Sequence, residues 1–395
     1  MKSVHELVLQ QQDFLNTHRQ WLHAHPELSH QERESAAYIA GVLRSLGLEV
    51  KEGVGGTGVT AVIEGSGEGK CVALRADFDA LPIPEPAGLP FASKNPGVMH
   101  ACGHDTHAAM LLGAAAVLCQ MREQFSGKVK LIFQPAEEDT LHSGAKDMIA
   151  DGVLENPKVD GIFAQHVWPH YTVGHAAVRN GAMMAASDRL TVTIHGRSSH
   201  GSAPETGIDA IVIAAQVVSA LQSIAARTVG PLESAVVTIG TVHGGRRYNV
   251  IADEVVLEGT VRTLDPAVRT KVRERIESIV KGVTEGMGGT CEVLYRECYG
   301  CAVNDPAQFR LLSGVIADTL GEDGLVIPES SALSSEDFCF YCEKIPGALF
   351  WLGARGEGKP FYPLHSEKFV PEAEIMPLGT EVLVNAALRF LEENR

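Results

Sequence analysis

Five short segments of this 395-residue chain carry side chains that a divalent cation prefers. Met99-His100-Ala101-Cys102-Gly103-His104-Asp105-Thr106-His107 offers a thiol and an imidazole two positions apart, just before an apolar run. Phe133-Gln134-Pro135-Ala136-Glu137-Glu138 ends an apolar stretch with two adjacent carboxylates. Gln165-His166-Val167-Trp168 and Leu364-His365-Ser366 each add a histidine, and Arg75-Ala76-Asp77-Phe78-Asp79 adds two acids. Borderline-soft divalent ions take Cys, His and carboxylate ligands, and catalytic sites keep a position open for water. Two such ions ~3.5–4 Å apart can hold a hydroxide and polarise a carbonyl, and they need roughly five or six protein ligands. Adjacent residues on an extended chain point in different directions. One of Glu137 and Glu138 can therefore bind metal while the other serves as general base. Taken singly, a Glu-Glu pair is usually solvated surface, and a lone histidine usually a hydrogen-bonded structural residue. Their joint placement favours the metal centre.

The elements that must position these residues are legible in outline. Residues 29–32, Ser-His-Gln-Glu, read as a capping box before Ala36, Ile39, Ala40 and Leu43 at helical spacing. Strands are expected over 58–63, 71–76, 128–133 and 161–166, with a helix over about 107–120. Strands alternating with helices imply an α/β fold, a mostly parallel sheet with helices on both faces. Ligands of such sheets gather outside the carboxyl ends of the strands, where most of the five segments fall. After Arg179-Asn180-Gly181 the pattern changes to strand 187–195, helix 208–226, strands 235–242 and 254–263, helix 267–285 and strand 290–295. That βαββαβ order is the ferredoxin-like arrangement and marks an inserted α+β domain. The expected division is a catalytic metal-binding domain over 1–185 and 301–395, and a second domain over 186–300.

Composition excludes several function classes. With 49 acidic and 33 basic residues the formal net charge is −16. Such a surface repels a phosphate backbone and an anionic bilayer, so neither nucleic acid nor membrane is an expected partner. The opening Met-Lys-Ser-Val-His-Glu-Leu lacks the pattern of a secretory signal. The longest apolar stretch, 210–226, is broken by Gln216, Ser219, Gln222 and Ser223 and is short for a bilayer span. The eight cysteines are scattered, and free thiols in the cytoplasm are expected. Gly53-Val54-Gly55-Gly56-Thr57-Gly58 matches G-x-G-x-x-G but leads into a strand, so it reads as a turn rather than a dinucleotide site. Cys298-x-x-Cys301 and Cys339-x-x-Cys342 are too far apart for a zinc ribbon and read as buried thiols.

At these residues the sequence resembles the metalloamidohydrolase family of aminoacylases and carboxypeptidases. It is most similar to the branch of hippurate hydrolase, auxin–amino-acid conjugate hydrolases and N-acetyl-diaminopimelate deacetylases. Further matching segments are Leu22-His23-Ala24-His25-Pro26-Glu27-Leu28, Ser199-His200-Gly201-Ser202-Ala203-Pro204, Asn249-Val250-Ile251, Gly259-Thr260-Val261-Arg262 and Ser335-Glu336-Asp337-Phe338. The resemblance implies Cys102, His104, Glu138, His166 and His365 as ligands of two divalent ions, manganese or zinc, with Cys102 bridging. It implies Glu137 as general base and Asp77 and Asp105 as residues that orient the ligands. Related branches have His-x-Asp where this chain has Arg75-Ala76-Asp77. The inserted domain resembles the family's lid and dimerisation domain, which implies a homodimer. His200 would then reach a neighbouring subunit's site as oxyanion stabiliser. Asn249 and Arg262, expected on adjoining strands, would bind substrate, with Arg262 holding its carboxylate. The implied activity is hydrolysis of a small N-acyl amino acid without an acyl-enzyme. A dipeptidase or carboxypeptidase with the same centre is the alternative.

Overall fold

The computed structural model describes residues 2–86 and 88–395. Along the chain run strands β1 (Val50–Val54), β2 (Gly58–Glu64), β3 (Cys71–Asp77), β4 (Lys128–Gln134), β5 (Gly161–Thr172) and β6 (Ala176–Ala177). They are followed by β7 (Ala186–His195), β8 (Ala235–Gly244), β9 (Glu254–Thr263), β10 (Thr290–Tyr299), β11 (Leu325–Val326) and β12 (Gly347–Arg355). The chain forms two compact units. The first runs up to Met183 and resumes over Val303–Ser330 and Asp337–Arg395, and the second comprises Met184–Ala302 and Ser331–Glu336. No pattern in the sequence had set the short segment Ser331–Glu336 apart.

The first unit is built on an eight-stranded sheet in the order β1-β2-β4-β3-β5-β12-β6-β11. Its centre, β4-β3-β5-β12, is parallel, and antiparallel pairs lie toward the edges. β3 is buried at every residue and β5 as far as Pro169, as strands covered on both faces must be. The helix His104–Gln120 is buried along almost its whole length. Its Ala- and Leu-rich surface is apolar all round, the signature of a helix enclosed by other elements. It packs against β3 and the helices Gln12–Ala24 and Ile375–Glu393. Residues Gly53–Gly58 form the β1–β2 hairpin turn, with Gly55 and Gly56 at positive φ.

In the second unit the antiparallel order is β10-β7-β9-β8, the ferredoxin-like arrangement expected from the βαββαβ order. On β7, Leu190, Val192 and Ile194 alternate into the core. The helix Ala210–Leu221 covers that face with Ala210, Ile213, Ala214, Val217 and Leu221. The helix Pro266–Gly286 adds Val268, Val272, Ile276 and Val280, a four-residue spacing that lines up one helical stripe. The stretch Ala210–Thr228 is long and apolar enough to cross a membrane by length and composition, and a third of it is buried inside this unit.

The expected capping box over residues 29–32 does not form. The helix there begins at Arg33, and its N-cap Glu32 makes no side-chain cap bond. Ser29 Oγ donates to Asp79 instead, while Glu32 accepts from Thr57 and the Ala136 backbone amide. Both side chains are drawn inward to the loops that carry Asp79 and Glu137.

Candidate metal centre

The segment before the long buried helix turns sharply at Gly103, whose φ is +84°. A Cβ there would lie 2.5 Å from Cγ2 of Val167, so only glycine allows both the left-handed conformation and the close approach. The helix then starts at His104, three residues earlier than the periodicity suggests. Cys102 and His104 thus flank the turn and face one space. Sγ of Cys102 lies 3.5 Å from Nε2 of His166. His166 sits within β5 rather than at its end, because the strand continues to Thr172. Its Nδ1 donates to the Val167 carbonyl at 2.7 Å, which leaves the Nε2 lone pair toward Cys102. His365 arrives on a loop with φ +65°, and its amide donates to the Ala101 carbonyl at 2.9 Å. Nε2 of His365 is 3.1 Å from Oε1 of Glu138, and Nε2 of His104 is 4.0 Å from the same oxygen.

Three interlocking groups result: Cys102, His104 and His166; Cys102, Glu138 and His365; His104, Glu137 and Glu138. Within each group the donor atoms lie within 4.8 Å of one another. Nε2 of His104 and Oε1 of Glu138 are buried and make no hydrogen bond, the 3.1 Å approach of His365 to that oxygen apart, a costly state that a bound cation would relieve. Burial, reinforced by Glu138, Glu137 and Asp77, pushes the Cys102 thiol well up. Burial would lower His104, but Asp77, Asp79 and Glu138 raise it to about 10. Burial and the neighbouring His107 hold His166 well below its ordinary value. The cluster therefore carries surplus negative charge around a neutral imidazole and a thiol. Two divalent cations fit it, since they would neutralise the acids and allow Cys102 to ionise.

The residues that support this cluster differ in part from those expected. Asp79 joins Asp77 beside His104, while Asp105 does not reach it: Nδ1 lies 3.1 Å from the Asp79 carboxylate and 3.0 Å from its main-chain oxygen. The same carboxylate accepts the Glu138 amide at 2.9 Å. Asp77 binds Nδ1 of His107 at 2.6 Å and Nη1 of Arg75 at 2.6 Å, and lies 3.9 Å from Nε2 of His104. Nε2 of His107 accepts the Val167 amide at 2.9 Å, so both ring nitrogens of His107 are engaged. Asp105 faces away, toward Arg19 at 3.2 Å and His23 at 2.9 Å. Its helical position, one residue beyond His104, turns its side chain to a different face. Glu137 is buried.

In the second unit, His200 is exposed and its Nδ1 meets Ser202 Oγ at 2.7 Å. Asn249 lies in the β8–β9 loop, not on a strand, and its carbonyl accepts the Gly201 amide at 2.9 Å. Arg262 lies near the far end of β9, paired with Ser187 of β7. It is half-buried, contacts Thr260 and the Val261 carbonyl, and forms no ion pair among the described residues, with Asp188 the nearby acid that it feels. At ~3.3 Å per residue, the eight positions from Glu254 to Arg262 span about 26 Å. One copy of this unit thus brings His200 and Asn249 together and holds Arg262 apart. All eight cysteines are free. Among the described residues, no potential ligand group includes Cys298, Cys301, Cys339 or Cys342.

The model of the peptidase family M20/M25/M40 matches residues 73–389. Thermostable carboxypeptidase 1 of Saccharolobus solfataricus is 41% identical over 96% of this chain and 96% of its own. An N-acyl-L-amino acid amidohydrolase of Geobacillus stearothermophilus is 44% identical over 72% of this chain and 76% of its own. A dinuclear metal-binding M20 peptidase of Bacillus subtilis superposes with a TM-score of 0.84 at 36% identity, covering 96% of this chain and 98% of that one. With these matches beside the converged candidate donors, the chain is a hydrolase belonging to the peptidase M20/M25/M40 family.

Proposed function

We propose that the chain hydrolyses the amide bond of N-acyl amino acids at a two-cation centre held by Cys102, His104, Glu138, His166 and His365. The observation that carries the reading is the convergence of these donors on the unsatisfied Nε2 of His104 and Oε1 of Glu138. When bound, the ions supply the positive charge that acidifies water and polarises the scissile carbonyl. Glu137, buried beside Glu138, takes the water's proton on its carboxylate and returns it to the departing amine. No side chain is acylated. Arg262, which forms no ion pair among the described residues, is suited to the substrate carboxylate through paired hydrogen bonds.

His200 and Asn249 sit too far along the second unit to share one substrate with Arg262 of the same copy. They are assigned to the centre of a second copy, with His200 donating to the developing oxyanion. The dimer this requires is supported by the outer side of the second unit. β8 is an edge strand, Val242 is 59% exposed, and Ile211 and Val212 on the adjoining helix are 50% and 47% exposed. Apolar exposure beside an open strand edge suits pairing with another chain.

The 41% identical carboxypeptidase favours a second reading, cleavage of a peptide's C-terminal residue by the same chemistry. Hydrolysis rates on hippurate, N-acetyl amino acids and dipeptides, with manganese or zinc, separate the two. N-acyl amino acids are expected to be cleaved fastest. Glu137→Gln should keep both ions and lose several orders of magnitude in kcat. Near-wild-type turnover in that variant would remove Glu137 from its role.

A further inference from the structure

Asp337 is fully buried and is engaged on both oxygens. Oδ1 accepts Nη2 of Arg75 at 2.7 Å and Nε2 of Gln134 at 2.9 Å. Oδ2 accepts the same Gln134 nitrogen at 2.9 Å, Oγ of Ser143 at 2.7 Å and the Ala145 amide at 3.1 Å. Gln134 is the last residue of β4, and Ser143 is the N-cap of the helix Gly144–Ala150. The residues between, 135–142, are the loop that carries Glu137 and Glu138. One carboxylate therefore fastens both ends of that loop.

The loop needs fastening. Ala136 adopts φ +50°, a left-handed conformation that costs a non-glycine residue free energy and persists only when its surroundings enforce it. The Ala136 amide donates to Glu32 at 2.9 Å, and its carbonyl accepts the Gly144 amide at 3.1 Å. That turn makes the chain change direction immediately before the two acids. Asp79 anchors the Glu138 amide, as described above. Asp337 lies on the Glu137 side, with carboxylate oxygens of the two residues within 4.8 Å.

We propose that Asp337 is a positioning residue for Glu137: by clamping Gln134 to Ser143 and Ala145, it holds the strained turn and so fixes where the Glu137 carboxylate points. The consequence for rate rests on the reading of Glu137 as general base, whereas the clamp itself does not.

The test compares wild type, Asp337→Asn and Ser143→Ala by three measurements. The first is hydrogen exchange of residues 134–145 in the metal-free protein. Asp337→Asn should speed exchange there by about tenfold or more while β3 and β5 keep wild-type protection. The second is the metal count, which should stay at the wild-type value. The third is steady-state kinetics, where kcat should fall by about tenfold or more with KM nearly unchanged. Ser143→Ala removes one of the ties to Asp337, together with the Oγ cap on the Lys146 amide, and should give a smaller change over 134–145 in the same direction, which keeps the proposal testable if the first variant fails to fold. Wild-type exchange over 134–145 in either folded variant overturns the clamp. Loosened exchange with unchanged kcat overturns the positioning of Glu137. Loosened exchange in a chain whose wild type cleaves no N-acyl amino acid would uphold the clamp and sink the proposed activity instead.

Discussion

Asp79 and His104 meet through both the side chain and the main chain of the acid, at 3.1 and 3.0 Å from the same imidazole nitrogen. That nitrogen keeps its proton toward Asp79, so when a cation displaces the second proton that the acids hold on the ring, Nε2 turns its lone pair to the space beside Glu138. Asp79 also receives the Glu138 amide, so a single acid orients two of the five donors. Asp79→Ala is expected to weaken metal binding by about 10–100-fold in a chelator competition. Affinity within a factor of two of wild type would show that the ring is oriented by its packing alone.

Gly103 sets the angle between Cys102 and His104. An alanine there adopts an unfavoured left-handed φ, costing about 1 kcal/mol, and presses its methyl into Val167, an overpacking cost of roughly 1–3 kcal/mol. Gly103→Ala should lower the thermal midpoint of the metal-free protein by a few degrees, at roughly 1 °C per kcal/mol in a chain of 395 residues. It should weaken metal binding as well, because Val167 follows His166 directly. A variant as stable as wild type would mean that β5 gives way freely at Val167.

The candidate donors that the fold brings together could be picked out by residue type, because Cys, His and adjacent carboxylates at strand ends have few other joint explanations. The supporting residues were less visible, and the reason is geometric. Asp77, Asp79 and Asp105 are chemically identical in the sequence, and only the bend after β3 brings Asp79 onto Nδ1 of His104, while the helix turns Asp105 elsewhere. Ser29 and Glu32 have the spacing of a capping box, yet tertiary contacts with Asp79 and Ala136 outcompete the local cap. Asp337 sits 194 residues from Ser143 along the chain, a pairing that no local pattern encodes. The sheet and the inserted unit were legible because their periodicities, continuous apolar runs and strict alternation, are local properties.

His23 links the first unit's core to pH. Its Nδ1 faces Asp105 at 2.9 Å and its Nε2 faces Glu85 at 2.8 Å. Burial alone would lower its pKa, but the two carboxylates raise it to about 9. A histidine raised above its unfolded value near 6.5 stabilises the fold fully below that pH, and the contribution disappears as pH rises through about 9. The difference in urea-unfolding free energy between wild type and His23→Gln should therefore shrink by up to about 3 kcal/mol between pH 6 and 10. A difference that stays flat across that window would mean His23 is neutral in the folded protein.

The separation of His200 and Asn249 from Arg262 along β9 makes its own demand. An N-acyl amino acid is far shorter than the ~26 Å that eight extended residues span. If all three residues touch one substrate, two copies must supply them, and the cooperation is open to complementation. His200→Ala leaves a chain with Glu137 but no oxyanion donor, and Glu137→Gln leaves the reverse. Each alone should be nearly inactive. Dissociated, mixed in equal amounts and reassociated, half the dimers pair the two variants, and each mixed dimer holds one intact centre out of two. Activity should then recover to about a quarter of wild type, as statistical pairing in a two-fold dimer dictates. If each centre instead uses its own His200, no pairing restores a complete set and mixing recovers nothing. Recovery combined with the loss of activity on dilution to monomers would place the oxyanion donor on the second copy, because only assembly then completes the site.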